Sequence, residues 1–361
     1  MLKVAFDNQI FLEQRFGGIS RYFCEMFVEL KQKPNIDSNI IAPLHFNKHL
    51  RDLNTNRNYY VPTTTNKFSI NRLVNRFSNQ ISESRFRKFN PDILHKTFFY
   101  KPQKTQFKTV ITVYDMVHEK FNQNLDFIES KKISIINADH IICISESTKV
   151  DLLKYYEIDE QKVSVVPFGV GKSFFNDSYM IPTHQRNPEL VFVGRRNGYK
   201  NFTQFVKAFA GSVKLRKNFR IIVFGGGEFN ESEKNLIKDL GIESNIIKKD
   251  GSDKVLKNIL SNSMAMVYPS KYEGFGLPIL EAMALGTIVF TSNTSSMPEV
   301  GGDHALYFDP NSINSIQSTL EDRLVTDFNF SQDFQSNGIL WAQKFSWDNC
   351  ASQTLNIYQS L

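Results

Sequence analysis

Short apolar runs alternate with helix-patterned stretches along most of the chain, in two successive series. The first series holds Leu2 to Phe6, Ile93-Leu94, Thr109 to Val113, His140 to Ile144 and Val163 to Val166. The second holds Leu190 to Val193, Phe219 to Phe224, Asn245 to Ile247, Ala265 to Tyr268 and Thr287 to Phe290, with helices expected around 201–214, 230–240, 252–262 and 277–285. Strands that alternate with helices form βαβ units and parallel sheets. The fold class is therefore α/β, with two Rossmann-like, doubly wound domains. A length of 361 residues fits two domains, because single cores stop growing below that size. The stretch Gly169 to Pro188 is polar, carries Pro182 and Pro188, and separates the two series. The expected division is a first domain over 1–170, a linker over 171–188, a second domain over 189–342 and a C-terminal helix over 343–361 returning toward the first. Doubly wound sheets bind ligands at the carboxyl ends of their strands, so the expected site is a cleft that the two domains face.

Near the start, Tyr22, Phe23, Met26, Phe27 and Leu30 recur at helical spacing behind Ser20, an expected N-cap. Residues 47–68 read as a long polar loop, followed by an amphipathic helix over 70–81 with Ile70, Leu73, Val74, Phe77 and Ile81 on one face. Hydrophobic content of 41% with 22% charge excludes general disorder. No run approaches the ~20 apolar residues that span a bilayer, and the first residues do not resemble a secretory signal. Cys24, Cys143 and Cys350 are odd in number, unpaired in spacing and set among apolar residues, which points to buried thiols and a cytoplasmic location.

The densest chemistry lies in Tyr268-Pro269-Ser270-Lys271-Tyr272-Glu273-Gly274-Phe275-Gly276-Leu277-Pro278-Ile279-Leu280-Glu281. A strand ends at Tyr268, a glycine-containing loop follows, and Pro278 sits where a helix can begin. Backbone N–H groups at such a loop and helix start suit anionic or hydroxyl-rich ligands. Glu273 on the loop and Glu281 a turn into the helix can grip two parts of one polyhydroxylated ligand; alternatively, they are a loop acid and a dipole-favoured helix acid. Upstream, Gly194-Arg195-Arg196-Asn197-Gly198-Tyr199-Lys200-Asn201 also links a strand to a helix. Arg195 offers a planar fork and Lys200 a point charge for phosphate oxygens; alternatively, and more often for a basic loop taken alone, the charges are solvated surface, with Arg196 read as spare charge of that kind.

Together these stretches resemble the retaining family-four glycosyltransferases of GT-B architecture, the group 1 enzymes of surface-polysaccharide assembly. Glu273 and Glu281 match the family's Glu-x7-Glu element, and Gly194, Arg195, Lys200 and Asn201 its phosphate-binding element. Gly17-Gly18, Ile144 to Ser147, Val166 to Val170, Gly225 to Gly227 and Met297 to Val300 fall in order where the family places similar runs. The resemblance implies transfer of a hexose, mannose among the candidates, from a GDP- or UDP-linked donor to a glycan or lipid-linked glycan in O-antigen or capsule assembly. It implies that Glu281 holds the donor ribose, that Arg195 and Lys200 hold the diphosphate, and that Glu273 orients the sugar with the backbone of Gly274, Phe275, Gly276 and Leu277. It places Gly17 and Gly18 beside the phosphates or the acceptor. It also implies chemistry without a metal or other cofactor; the chain has no Asp-x-Asp motif, and His45 and His49 lack a third ligand nearby.

One departure stands out. Where the family commonly has His-Asp after a middle strand of the first domain, this chain has Tyr114-Asp115, with His118 following, so the sugar-contacting role is open among the three. Charge is also uneven. Between Lys67 and Lys108 ten basic residues face only Glu83 and Asp92, an excess larger than the whole chain's +6. This segment reads either as a solvated face or as a patch for an anionic membrane, with the 70–81 helix at the interface of the inner face of the plasma membrane. No nucleic-acid-binding module accompanies the charge. The alternatives to a transferase are an epimerase or phosphorylase of similar architecture and a non-catalytic, lipid-docking subunit.

Overall fold

The computed structural model describes residues 1–53, 55, 57–62, 68–99, 106–175, 181–196, 198–326 and 332–361, with backbone alone for 68–72 and 332. Asn197, Lys67, Lys101 and Lys104, and the side chains of Ile70 and Arg72, lie outside the described residues. The chain divides into two compact units, residues 1–169 with 347–361, and residues 170–346.

The first unit is built on six strands: β1 (Leu2–Phe6), β2 (Ile36–Ile40), β3 (Ile93–Lys96), β4 (Lys108–Val113), β5 (His140–Cys143) and β6 (Val163–Val165). They lie in the order β2-β1-β3-β4-β5-β6, every pair parallel. The second unit repeats the plan with β7 (Asn187–Val193), β8 (Arg220–Phe224), β9 (Ile246–Lys249), β10 (Ser263–Tyr268), β11 (Ile288–Ser292) and β12 (Leu306–Phe308). Their order is β9-β8-β7-β10-β11-β12, again all parallel. Parallel strands covered by helices on both faces need apolar residues throughout, and every residue of β10 and β11 is buried.

The chain reverses direction across each sheet at one place. In the first unit this lies between β1 and β3; in the second it lies between β7 and β10. At such a switch point the loops leaving the two strands diverge and open a crevice at their carboxyl ends. The loops after β7 and β10 are the two motifs singled out in the sequence.

Several elements depart from the sequence reading. The first long helix is Gly18–Leu30 with Gly17 as N-cap, because Ser20 Oγ donates back to Gly17 O at 3.0 Å instead of capping. The expected polar loop contains a helix, Lys48–Asp52, capped by Asn47, whose side chain accepts from Leu50 N at 2.9 Å. The 70–81 helix is longer, Phe68–Phe89, and its apolar side chains Leu73, Phe77 and Ile81 point outward, 55%, 53% and 39% exposed. Over that stretch its inward side carries Ser78 and Ser82, with Ser78 Oγ donating to Leu44 O at 2.8 Å, while further along Phe86 and Phe89 pack against Ala5, Ile41 and Leu94. Residues 171–188 lie within the second unit and include two short turns of 3-10 helix, Lys172–Phe174 and Thr183–Gln185. All three cysteines are buried and free.

The C-terminal helix, Trp347–Ser360, packs in the first unit against Gly18–Leu30. Its Tyr358 hydroxyl lies 2.5 Å from His95 Nδ1, while His95 Nε2 meets Thr112 Oγ1 at 2.8 Å. Burial pushes His95 from 6.5 down to about 3, and buried His45 down to about 4. Folded histidines held neutral while the unfolded chain takes up protons give stability that is present above pH 6.5 and lost as pH falls toward those values. Denaturant curves at stepped pH should show His95 alone removing on the order of 4 kcal/mol between neutrality and pH 3. The His95→Gln variant should flatten that slope.

Candidate active site at the switch point of the second unit

β7 ends at Val193, and Gly194 turns the chain out of the sheet while its N–H still donates to Phe224 O at 2.9 Å. β10 ends at Tyr268, and the following loop feeds the helix Leu277–Ala284, with Pro278 in its first turn. Gly276 caps that helix at φ 102°, a conformation that only glycine takes without strain. The two loops are stitched together by Lys271 N donating to Tyr199 O at 2.7 Å.

Between them the side chains meet. Lys200 Nζ lies 2.6 Å from Glu273 Oε1, with the two side chains 18% and 11% exposed. The same ammonium reaches the Tyr268 hydroxyl at 3.4 Å. Burial, and then the neighbouring Glu273 carboxylate, hold the Tyr268 hydroxyl well above its usual range, so it stays protonated. Glu273 is fixed from behind: its carbonyl accepts from Ser295 Oγ at 2.6 Å and Ser296 Oγ at 2.9 Å. Ser296 Oγ also lies 2.8 Å from Phe275 O. The Phe275 ring is buried, so this residue has only backbone to offer a ligand. Gly274 and Glu281 are buried as well, and Leu277 is half-buried at the helix start.

The adjacent arginines part company. Arg195 is exposed. Arg196, read as spare surface charge, is instead buried: its Nε and Nη2 contact the Glu233 carboxylate at 2.9 and 3.2 Å, and Nη1 and Nη2 donate to Gly225 O and Glu228 O. The physical reason is local. The Gly225 and Glu228 carbonyls and the Glu233 carboxylate on the helix that begins at Glu231 supply acceptors to all three guanidinium nitrogens, so the fork is drawn inward.

In the first unit, Gly17 and Gly18 open the Gly18–Leu30 helix, and the space beside Gly18 is empty for 4 Å around an added Cβ. Tyr114 is a core residue, its ring against Tyr22 and Phe99 and its hydroxyl donating to Thr97 O at 3.4 Å. Asp115 is half-buried and accepts from Val117 N at 3.0 Å. His118 turns toward Phe127, ring centroids 4.5 Å apart, with Nδ1 3.1 Å from Gln123 O. Sequence reasoning did not single out Asp7, a buried carboxylate at the end of β1 that accepts from Thr97 N at 3.1 Å across the first sheet's switch point. Burial pushes its carboxyl up despite those donors. Among the described residues no group of three or more His, Cys, Asp or Glu is placed to hold a metal ion.

Two family descriptions cover most of the chain in tandem. Residues 16–173 match Glycosyltransferase Family 4, and residues 180–341 match Glycosyl transferases group 1. The chain belongs to the family-four, group 1 glycosyltransferases. Its two parallel six-stranded sheets are those of the GT-B fold. Among similar proteins, the O-antigen chain mannosyltransferase B of Escherichia coli is 26% identical over 293 residues, 76% of each chain. The O-antigen chain mannosyltransferase RfbU of Salmonella typhimurium is 31% identical over 219 residues, 58% of this transferase and 59% of that one. Of solved structures, HepE of Anabaena in complex with UDP and glucose superposes with a TM-score of 0.72 over 100% of both chains at 13% identity. Similarity at that level carries the fold of the transferase and nothing finer.

Proposed function

We propose that the transferase moves a hexose, mannose first among the candidates, from a nucleotide diphosphate donor to a glycan or lipid-linked glycan of O-antigen or capsule type. The observation that carries this reading is the Lys200–Glu273 pair at the switch point, with exposed Arg195 on the same strand-to-helix connection as Lys200. Without donor, the two charges neutralise each other. A bound diphosphate draws Lys200 and Arg195 to its oxygens and frees Glu273 for the sugar hydroxyls, while Glu281 takes the ribose. Gly17, Gly18, Asp115 and His118 of the first unit are assigned to the sugar and the acceptor. In the reaction the bond from the anomeric carbon to phosphate oxygen breaks, and the acceptor hydroxyl bonds to that carbon on the same face. Its proton passes to the departing phosphate, whose growing charge Arg195 and Lys200 stabilise. The O-antigen mannosyltransferases among its relatives support the acceptor class and the sugar.

Calorimetry on Glu281→Ala tests the donor site: affinity for the donor nucleotide should drop by about tenfold or more, worth about 1.4 kcal/mol. Unchanged affinity would remove Glu281 from the site. Product analysis separates reaction classes, because nucleotide diphosphate released only with acceptor marks transfer, whereas an isomerised donor marks an epimerase.

The outward stripe Leu73, Phe77 and Ile81 favours a second reading for the first unit. Arg76, Arg87 and Lys88 are exposed on the same helix, and only Glu83 opposes them there. We infer that this face seats the transferase on an anionic lipid surface, at the inner face of the plasma membrane. No described helix is long and apolar enough to cross a membrane. Changing the three apolar residues together to Ser should abolish sedimentation with phosphatidylglycerol vesicles and shift stability by no more than about 0.5 kcal/mol for each residue changed, as surface changes do. Sedimentation equal to wild type would leave a solvated face.

A further inference from the structure

We propose that Arg196 and Glu233 are a positioning pair that sets the diphosphate-binding loop, so that one arginine of the Arg195-Arg196 doublet holds still what the other presents. The inference rests on the donor-site reading above and adds residues to it.

Arg196 side-chain exposure is 3% and that of Glu233 is 15%. All three guanidinium nitrogens are engaged, in a two-point contact with Glu233 and in bonds of 3.0 and 2.8 Å to the Gly225 and Glu228 carbonyls. The plane lies 4.8 Å over the Phe229 ring. Glu233 is itself immobilised, because its carboxylate accepts from Asn230 N at 2.8 Å while Asn230 Oδ1 caps Glu233 N at 2.9 Å. A planar fork with this many fixed acceptors has one orientation, and lysine cannot reproduce it.

The clamp acts on the loop from a second side. Gly226, at φ 77°, presses against the loop so closely that a Cβ there would stand 2.8 Å from Gly194 O and 3.3 Å from Arg195 Cα. The backbone of Gly194-Arg195 is thus held between the strand-end bond to Phe224 O, the glycine turn and the buried Arg196 side chain. Arg195 leaves this fixed backbone into solvent. Holding the root of a flexible cation reduces what it must lose in ordering when it grips phosphate.

Two kinds of substitution, one from each side, test the pair in the full chain: Arg196→Lys with Glu233→Gln, and Gly226→Ala. GDP and UDP are titrated calorimetrically, and the matching nucleoside is titrated by competition against whichever binds. Each variant should lose about tenfold to a hundredfold in diphosphate affinity, the scale of misplacing a group by an ångström, with nucleoside affinity within about twofold of wild type. Arg196→Lys/Glu233→Gln should be no weaker than the weaker single variant, since both break one unit. A melting temperature that falls while diphosphate affinity stays at the wild-type value overturns the proposal, as does an equal loss of nucleoside and diphosphate binding. Arg195→Ala run alongside separates the two levels: if it leaves diphosphate affinity unchanged, the donor-site reading itself fails.

Discussion

Lys200→Ala should lower kcat/KM by about a hundredfold to a thousandfold, the loss found when one preorganised stabiliser of a departing anion is removed. The expectation follows from where the ammonium sits. It bridges the loop after β7 to the loop after β10, 2.6 Å from Glu273 and 3.4 Å from the Tyr268 hydroxyl, at the switch point of the sheet. Removing it takes away the positive charge proposed above to meet the leaving diphosphate and strands the Glu273 carboxylate in a half-buried position. Most of the loss should appear in kcat, because the charge on the leaving phosphate grows toward the transition state. Glu273→Gln keeps the shape of the loop, whose carbonyl is held by Ser295 and Ser296, and removes only the charge. A milder loss is expected there, with donor KM raised. Steady-state kinetics with saturating acceptor checks both, and a Lys200→Ala enzyme within about threefold of wild type would put the diphosphate elsewhere.

The central strands and the two loops of the candidate site, as loops after β7 and β10, were legible because they carry strong local signals. After Ser263, β10 is a continuous apolar run bounded by Pro269, and the helix that follows is capped by Gly276 with Pro278 in its first turn. The edge strands Ile36–Ile40 and Leu306–Phe308 were missed: the first mixes Asp, Ser and Asn into its short run, and the second has only three residues. Periodicity gave the helix Phe68–Phe89 an apolar face but could not say what that face meets, and it meets solvent at Leu73, Phe77 and Ile81. The same limit explains the arginines. Arg195 and Arg196 are chemically identical neighbours, and what separates them is Glu233, which lies 37 residues away and is brought close only by the fold. Glu273 and Lys200 were both singled out, but given separate tasks, because no sequence pattern reports an ion pair across 73 residues.

Lys131→Met should cost about 3–5 kcal/mol of folding free energy, the usual penalty for stripping one partner from a buried ion pair. Lys131 and Glu119 are 3.0 Å apart with side chains 1% and 3% exposed, and the Tyr156 hydroxyl donates to the same carboxylate at 2.6 Å. The single change leaves Glu119 buried and charged with only a phenol to answer it. Lys131→Met combined with Glu119→Gln should recover most of that loss in denaturant titrations, since the amide oxygen still accepts from Tyr156 and no charge remains to be solvated. Activity should not recover with it. Lys131 Nζ also donates to Asp115 O at 2.6 Å, in the turn where the Asp115 side chain accepts from Val117 N, and no methionine replaces that donor. The double variant should therefore fold almost as well as wild type yet turn over about tenfold more slowly, as a slightly misplaced group does. Stability and rate recovering together would mean that the buried pair serves the core alone and that the Asp115 turn does not depend on it.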